Sequence, residues 1–111
     1  MEEKLEQFYE LLVSKKCKDI ALYDLTNEGE KSSYVFVVTV ANALNNKKVA
    51  TSILEELELD MKLEGFNKGE WIIFDLDDVV LHSFIPASRE KYNLDKMWKS
   101  KRVQIKKQSK K

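Results

Sequence analysis

Three aspartates in the stretch "WIIFDLDDVVLHSF" pose the first chemical question, since Asp75 and Asp77 lie one residue apart beside Asp78. Two carboxylates at i and i+2 on a strand point to one face. They could jointly hold Mg²⁺, as phosphoryl- and nucleotidyl-transferring enzymes require. Such enzymes also need a grip on phosphate. The only glycines are Gly29, Gly65 and Gly69, and none sits in a phosphate loop or a G-x-G-x-x-G turn. Aspartates are also favoured in hairpin turns, where they bond to nearby backbone amides. The turn reading outweighs the metal reading.

His82 is the only histidine and Cys17 the only cysteine. A nucleophilic dyad would need these two side by side, and no local signature around Cys17 supports that. One His with one Cys cannot supply the usual zinc ligand set. Strand alternation puts His82 on the face of Val80 and Phe84, opposite Val79, Leu81 and Ser83. It reads as a structural or interface histidine. Trp71, Tyr92 and Trp98, with Arg89 near them, are of the types most enriched at binding hot spots, with core packing as the alternative. The residues favour a binding module that uses no cofactor, metal or catalytic group.

The elements that must position these side chains follow from periodicity. Leu5, Phe8, Tyr9, Leu12 and Val13 recur at helical spacing, with Glu2, Glu3 and Glu6 at the positive end of that helix. "DIALYDL" (19–25) reads as a strand, 26–33 as a loop, and "YVFVVTV" (34–40) as a strand buried on both faces. A second helix is expected to start near Asn45 or Asn46, either of which can cap, with Val49, Ile53 and Leu57 on its inner face. A short strand is expected at 61–64, then the hairpin "WIIFD"/"VVLHSF", then one or two short helices opened by Pro86. This order predicts a single-domain α/β fold, an α+β mixed sheet covered by helices.

Composition bounds the rest. A chain of 111 residues, 43% hydrophobic and 34% charged, fits one globular domain. No apolar run is long enough to span a bilayer, and the acidic amphipathic start resembles neither a signal nor a transit peptide. A cytoplasmic protein is expected. Residues 99–111 carry seven Lys/Arg and no acid, which leaves twelve basic against nineteen acidic side chains in residues 1–98. The expected organisation is a domain over 1–98 and a basic, flexible tail over 99–111. Lys99, Lys101, Arg102, Lys106 and Lys107 in that tail are candidate RNA contacts, with a plain solubilising role as the alternative.

The stretch 64–98 resembles the signature of the Iojap family, the ribosomal silencing factors. Its pattern runs through Glu64 and Gly65, Trp71, Asp75, Asp78, His82, Arg89, Tyr92, Leu94, Asp95 and Trp98. "KCKDIALYDL" and "SSYVFVVTV" resemble the family's first two strands more loosely. Asp77 stands where the family usually has glycine. The resemblance implies a nucleotidyltransferase-like mixed β-sheet flanked by helices, without the catalytic set. It implies binding to the large ribosomal subunit through ribosomal protein L-fourteen, steric blocking of small-subunit association and repression of translation. It also implies, from organellar relatives, large-subunit assembly as an alternative role. The expected partner-binding residues are Glu70, Trp71, Asp75, Asp78, His82, Arg89, Tyr92 and Trp98, with Trp71 an anchor rimmed by Glu70 and the three aspartates. Two further readings are a metal-dependent nucleotidyltransferase using Asp75 and Asp77, and self-association through the apolar hairpin face, as a homodimer of the free factor.

Overall fold

The computed structural model describes residues 2–26, 34–76 and 78–104. The elements run α1 (Glu2–Ser14), β1 (Lys18–Asp24), β2 (Tyr34–Thr39), α2 (Ala43–Glu56), β3 (Trp71–Asp75), β4 (Val79–Phe84), α3 (Pro86–Tyr92), α4 (Leu94–Met97) and β5 (Arg102–Val103). The strands form one sheet in the order β3-β4-β2-β1-β5. β2 and β4 pair in parallel, Val37 opposite His82, and the other neighbours pair antiparallel. The parallel pair follows from the long crossover through α2 and β3, which returns the chain to the same end of the sheet. The expected mixed sheet is what forms.

Strand alternation divides the core in two. Phe36, Val38, Ile72, Phe74, Val79 and Leu81 belong to one cluster with Leu5, Phe8 and Leu12 of α1 and Ala50 and Ile53 of α2. Ala21, Tyr23, Val35, Val37 and Phe84 form a second cluster, against which Trp71, Val80, Leu94 and Trp98 pack. β2 contributes to both, which is why its sequence is continuously apolar. Of the residues assigned to the inner stripe of α1, Val13 is instead 48% exposed, and Leu11 is buried.

Helix α2 begins earlier than the sequence pattern suggests. Asn42 is its cap, its side-chain oxygen accepting from the Asn45 amide at 2.9 Å. Asn46 is fully buried, and its amide nitrogen donates to the carbonyls of Gly69 and Ser83, each at 2.9 Å. The Ser83 hydroxyl donates back to the Asn46 amide oxygen at 2.5 Å. This closed set of bonds satisfies a polar group that would otherwise be costly to bury, and it ties α2, β4 and the 64–70 loop together.

Two further expectations differ. The short strand at 61–64 is reduced to a single bridge between Glu64 and Ile73. There the chain must turn, and Gly65 does so at φ +80°, with its Cα so near β3 that a Cβ would lie 2.0 Å from the Trp71 carbonyl oxygen. The boundary drawn after Trp98 falls inside structured chain. Residues Lys99–Lys101 form a 3₁₀ turn, and Arg102 and Val103 pair with Tyr23 and Leu22 as the fifth strand. The free edge of β1 accepts them, and Val103 packs against the first core cluster. Lys106 and Lys107 lie outside the described residues.

Candidate aromatic binding face

β4 directs His82 and Phe84 to the sheet face opposite α1 and α2, while Trp71 stands opposite Phe84 on β3. The Trp71 ring lies 4.8 Å from Phe84 in a stacked arrangement, 4.6 Å from Tyr92 and 5.8 Å from His82. His82 lies 6.0 Å from Trp98, which lies 5.7 Å from Tyr23. The structure therefore brings Trp71, His82, Tyr92 and Trp98 into one aromatic row across the sheet. Tyr92 is the most open of them, 47% exposed.

The Trp71 indole N–H donates to Nδ1 of His82 at 2.9 Å. Nδ1 must then be unprotonated, and burial among rings pushes the imidazole down to about 4. A histidine kept neutral as an acceptor is not poised as a general base near pH 7. Cys17 lies in the core cluster on the opposite face, with its thiol pushed up to about 11 by burial. The two cannot form a dyad.

Arg89 serves this face from behind. Its Nε and Nη2 fork onto the Asp95 carboxylate, each at 2.9 Å, while Nη1 donates to the Asp19 carbonyl at 2.6 Å and the Thr39 hydroxyl at 3.0 Å. The Tyr23 hydroxyl donates to Asp95 at 2.6 Å. Burial works against the charged Asp95, but the bonds from Arg89 and Tyr23 outweigh it and its pKa lies below the usual carboxylate value. Burial and then the bond to Asp95 push Tyr23 up to about 12. This network pins α3 and α4 to the sheet. Asp95 and Tyr23 are its members that residue types alone did not single out.

The acidic rim expected around Trp71 does not assemble there. Glu70 is adjacent, but Asp75 closes the far end of β3, about 14 Å away along an extended strand. Asp78 sits beyond that turn and pairs with Lys4 at 3.1 Å on the exposed surface. Asp77 lies outside the described residues, and among those described no group of three His, Cys, Asp or Glu is placed to hold a metal ion. What Trp71 and Glu70 do border is a cleft of about 780 Å³ at the β3 edge, between α2, the 61–70 loop and α3.

The family model described as "Ribosomal silencing factor during starvation" matches residues 1–111. The chain belongs to the ribosomal silencing factor family. Ribosomal silencing factor RsfS of Chromobacterium violaceum is 32% identical over 93 residues, spanning 80% of this chain and 76% of that protein. RsfS of Bacillus subtilis is 28% identical over 88 residues, 76% of this chain and 75% of that protein. A mouse protein named "Mitochondrial assembly of ribosomal large subunit protein 1" is 37% identical over 38 residues, 34% of this chain and 17% of its own length. The crystal structure of a Chromobacterium violaceum protein superposes with a TM-score of 0.73 at 29% identity, covering 93% of this chain and 89% of that one. One from Bacillus halodurans, 23% identical with the same TM-score, shares the fold, covering 95% of this chain and 100% of that one.

Proposed function

We propose that this protein binds the large ribosomal subunit through ribosomal protein L-fourteen and sterically blocks association with the small subunit, so repressing translation. The observation that carries this reading is membership of the ribosomal silencing factor family over the whole chain. The geometry supports it. Occlusion needs a shaped surface held rigidly and no chemical turnover, and a standard interface takes only about 800 Å² from each partner. The aromatic row is locked from behind by Arg89, Asp95 and Tyr23, and its edge at Trp71, Tyr92 and Glu70 faces outward. His82, Arg89 and Trp98 support that face, while Trp71, Tyr92 and Glu70 supply the contact. Asp75 and Asp78 act as long-range charge that speeds encounter with a basic partner.

The protein acts where ribosomes translate, in the cytoplasm. No helix among the described residues is long and apolar enough to cross a membrane. A role in large-subunit assembly is the second reading, favoured by the name of the mouse relative. Sedimentation through sucrose gradients with purified subunits tests the docking. Migration with the large subunit and not the small one is expected, and protein that stays at the top of the gradient overturns the reading.

A further inference from the structure

The cleft at the β3 edge has a mixed chemistry that a plain protein-docking groove does not need. Leu54, Leu63 and Phe66 give it an apolar floor, and the neighbouring rings of Trp71 and Tyr92, 4.6 Å apart, give it an aromatic side. Lys62 and Lys68 line it as well, both exposed and neither paired with an acid among the described residues. Among the described residues Glu70 is the one carboxylate in the lining. Ser88 also lines it. It is 8% exposed, and its hydroxyl has no hydrogen-bond partner among the described residues. Buried hydroxyls almost always have a partner, so this one is left to a group that enters the cleft.

We infer that this cleft is a site for one unpaired nucleotide, its base against Tyr92 and Phe66 beside Trp71 and its phosphate between Lys62 and Lys68. Trp71 already packs on Phe84 and Tyr92, so the ring surface open to a base is that of half-exposed Tyr92 with Phe66 beside it, while the two ammonium groups match a phosphate and Ser88 and Glu70 can bond to base or ribose groups. The volume of about 780 Å³ lies within the range of small-ligand sites. Two sources share this chemistry, a free mononucleotide and an unstacked residue of single-stranded RNA. The site shares Trp71, Tyr92 and Glu70 with the proposed ribosome contact, so a nucleotide and the ribosomal protein compete for this edge, but it is complete within the isolated chain and is tested there.

The test is an amide- and indole-resolved NMR titration of the full chain with AMP, with UMP and with a six-residue oligouridine. Saturable shifts at Gly65, Phe66, Lys68, Ser88 and the Trp71 indole are expected. The double variant Lys62→Glu/Lys68→Glu should weaken them at least about tenfold. A control, Lys18→Glu/Lys48→Glu, carries the same charge change at exposed positions outside the cleft and should leave them intact. Ser88→Ala should reduce affinity without altering the spectrum of the free protein elsewhere. Shifts with mononucleotides identify a free nucleotide as the ligand, and shifts with the oligomer alone identify an RNA strand. No shifts at millimolar nucleotide, shifts confined to residues 99–111, or equal losses in both double variants overturn the inference. So does binding of an isolated ribosomal protein that is lost on Lys62→Glu/Lys68→Glu while nucleotides leave the cleft signals unmoved.

Discussion

The indole N–H of Trp71 and Nδ1 of His82 are joined at 2.9 Å across the β3–β4 pair, two positions that the hairpin register sets diagonally on one face. That bond holds only while His82 is neutral. Its folded pKa of about 4 lies below the ordinary 6.5, so between those values the unfolded chain takes up a proton that the folded one refuses. The stabilisation is full above pH 6.5, declines as pH falls toward 4 and is flat below. It amounts to at most about 3.5 kcal/mol. Urea unfolding at pH 7.5, 6 and 5 should show the decline in the wild type. His82→Gln, whose amide oxygen can still accept from the indole, should show a much weaker one. Equal pH dependence in both proteins would contradict the assignment. Asp24 and Asp95, held below the usual carboxylate range, lose their contributions only at lower pH.

Arg89→Ala should destabilise the fold by about 2–4 kcal/mol, because it leaves the half-buried Asp95 without its fork partner. Asp78→Asn, which breaks only the exposed pair with Lys4, should change stability by less than about 1 kcal/mol. Urea midpoints measured side by side check both. If Arg89→Ala unfolds at the wild-type midpoint and only ribosome binding falls, Arg89 is a contact and not a positioning residue.

Gly65→Ala should cost more than about 1 kcal/mol, since the φ of +80° disfavours any Cβ and the Trp71 carbonyl occupies its place. Thermal unfolding reads the loss. A variant as stable as the wild type would mean that the loop relaxes away from β3 at little cost.

Much of this was legible in the sequence because periodicity reports faces. Alternation along "VVLHSF" separated Val79 and Leu81 from Val80, His82 and Phe84, and the two core clusters divide there. Asn46 shows where that logic ends. Three asparagines precede the apolar stripe of α2, and only long-range partners, the Gly69 and Ser83 carbonyls, decide that Asn46 is buried and Asn42 caps. β5 was invisible for the same reason, since two residues in a lysine-rich run acquire strand character only from the open edge of β1. The resemblance grouped Arg89, Asp95 and Trp98 as one signature, and the structure shows that Arg89 and Asp95 act on one another first.

The fifth strand changes how the basic segment should be tested. Truncation after Gln104 removes Lys106, Lys107, Lys110 and Lys111 while sparing the β5 pairing with β1. If two of those charges meet ribosomal RNA phosphates, the plot of log K against log salt for intact large subunits should flatten by about 1 to 2 units. An unchanged slope would assign the segment a solubilising role.

Trp71→Ala is expected to weaken binding to large subunits by about thirtyfold or more, well beyond Asp75→Asn or Asp78→Asn. Because Trp71 also packs on Phe84 and Tyr92, Trp71→Phe supplies the control that keeps a ring in the stack. Circular dichroism must show a folded Trp71→Ala protein before its pull-down counts. Folded protein with wild-type affinity would exclude Trp71 as the anchor.

Light scattering of separated ribosomal subunits, mixed with and without excess protein, reads occlusion without turnover. A dose-dependent loss of the association signal is expected, saturating with the large-subunit concentration and needing no added nucleotide beyond the buffer used for joining. Association that proceeds at the same rate and to the same extent at saturating protein would contradict it.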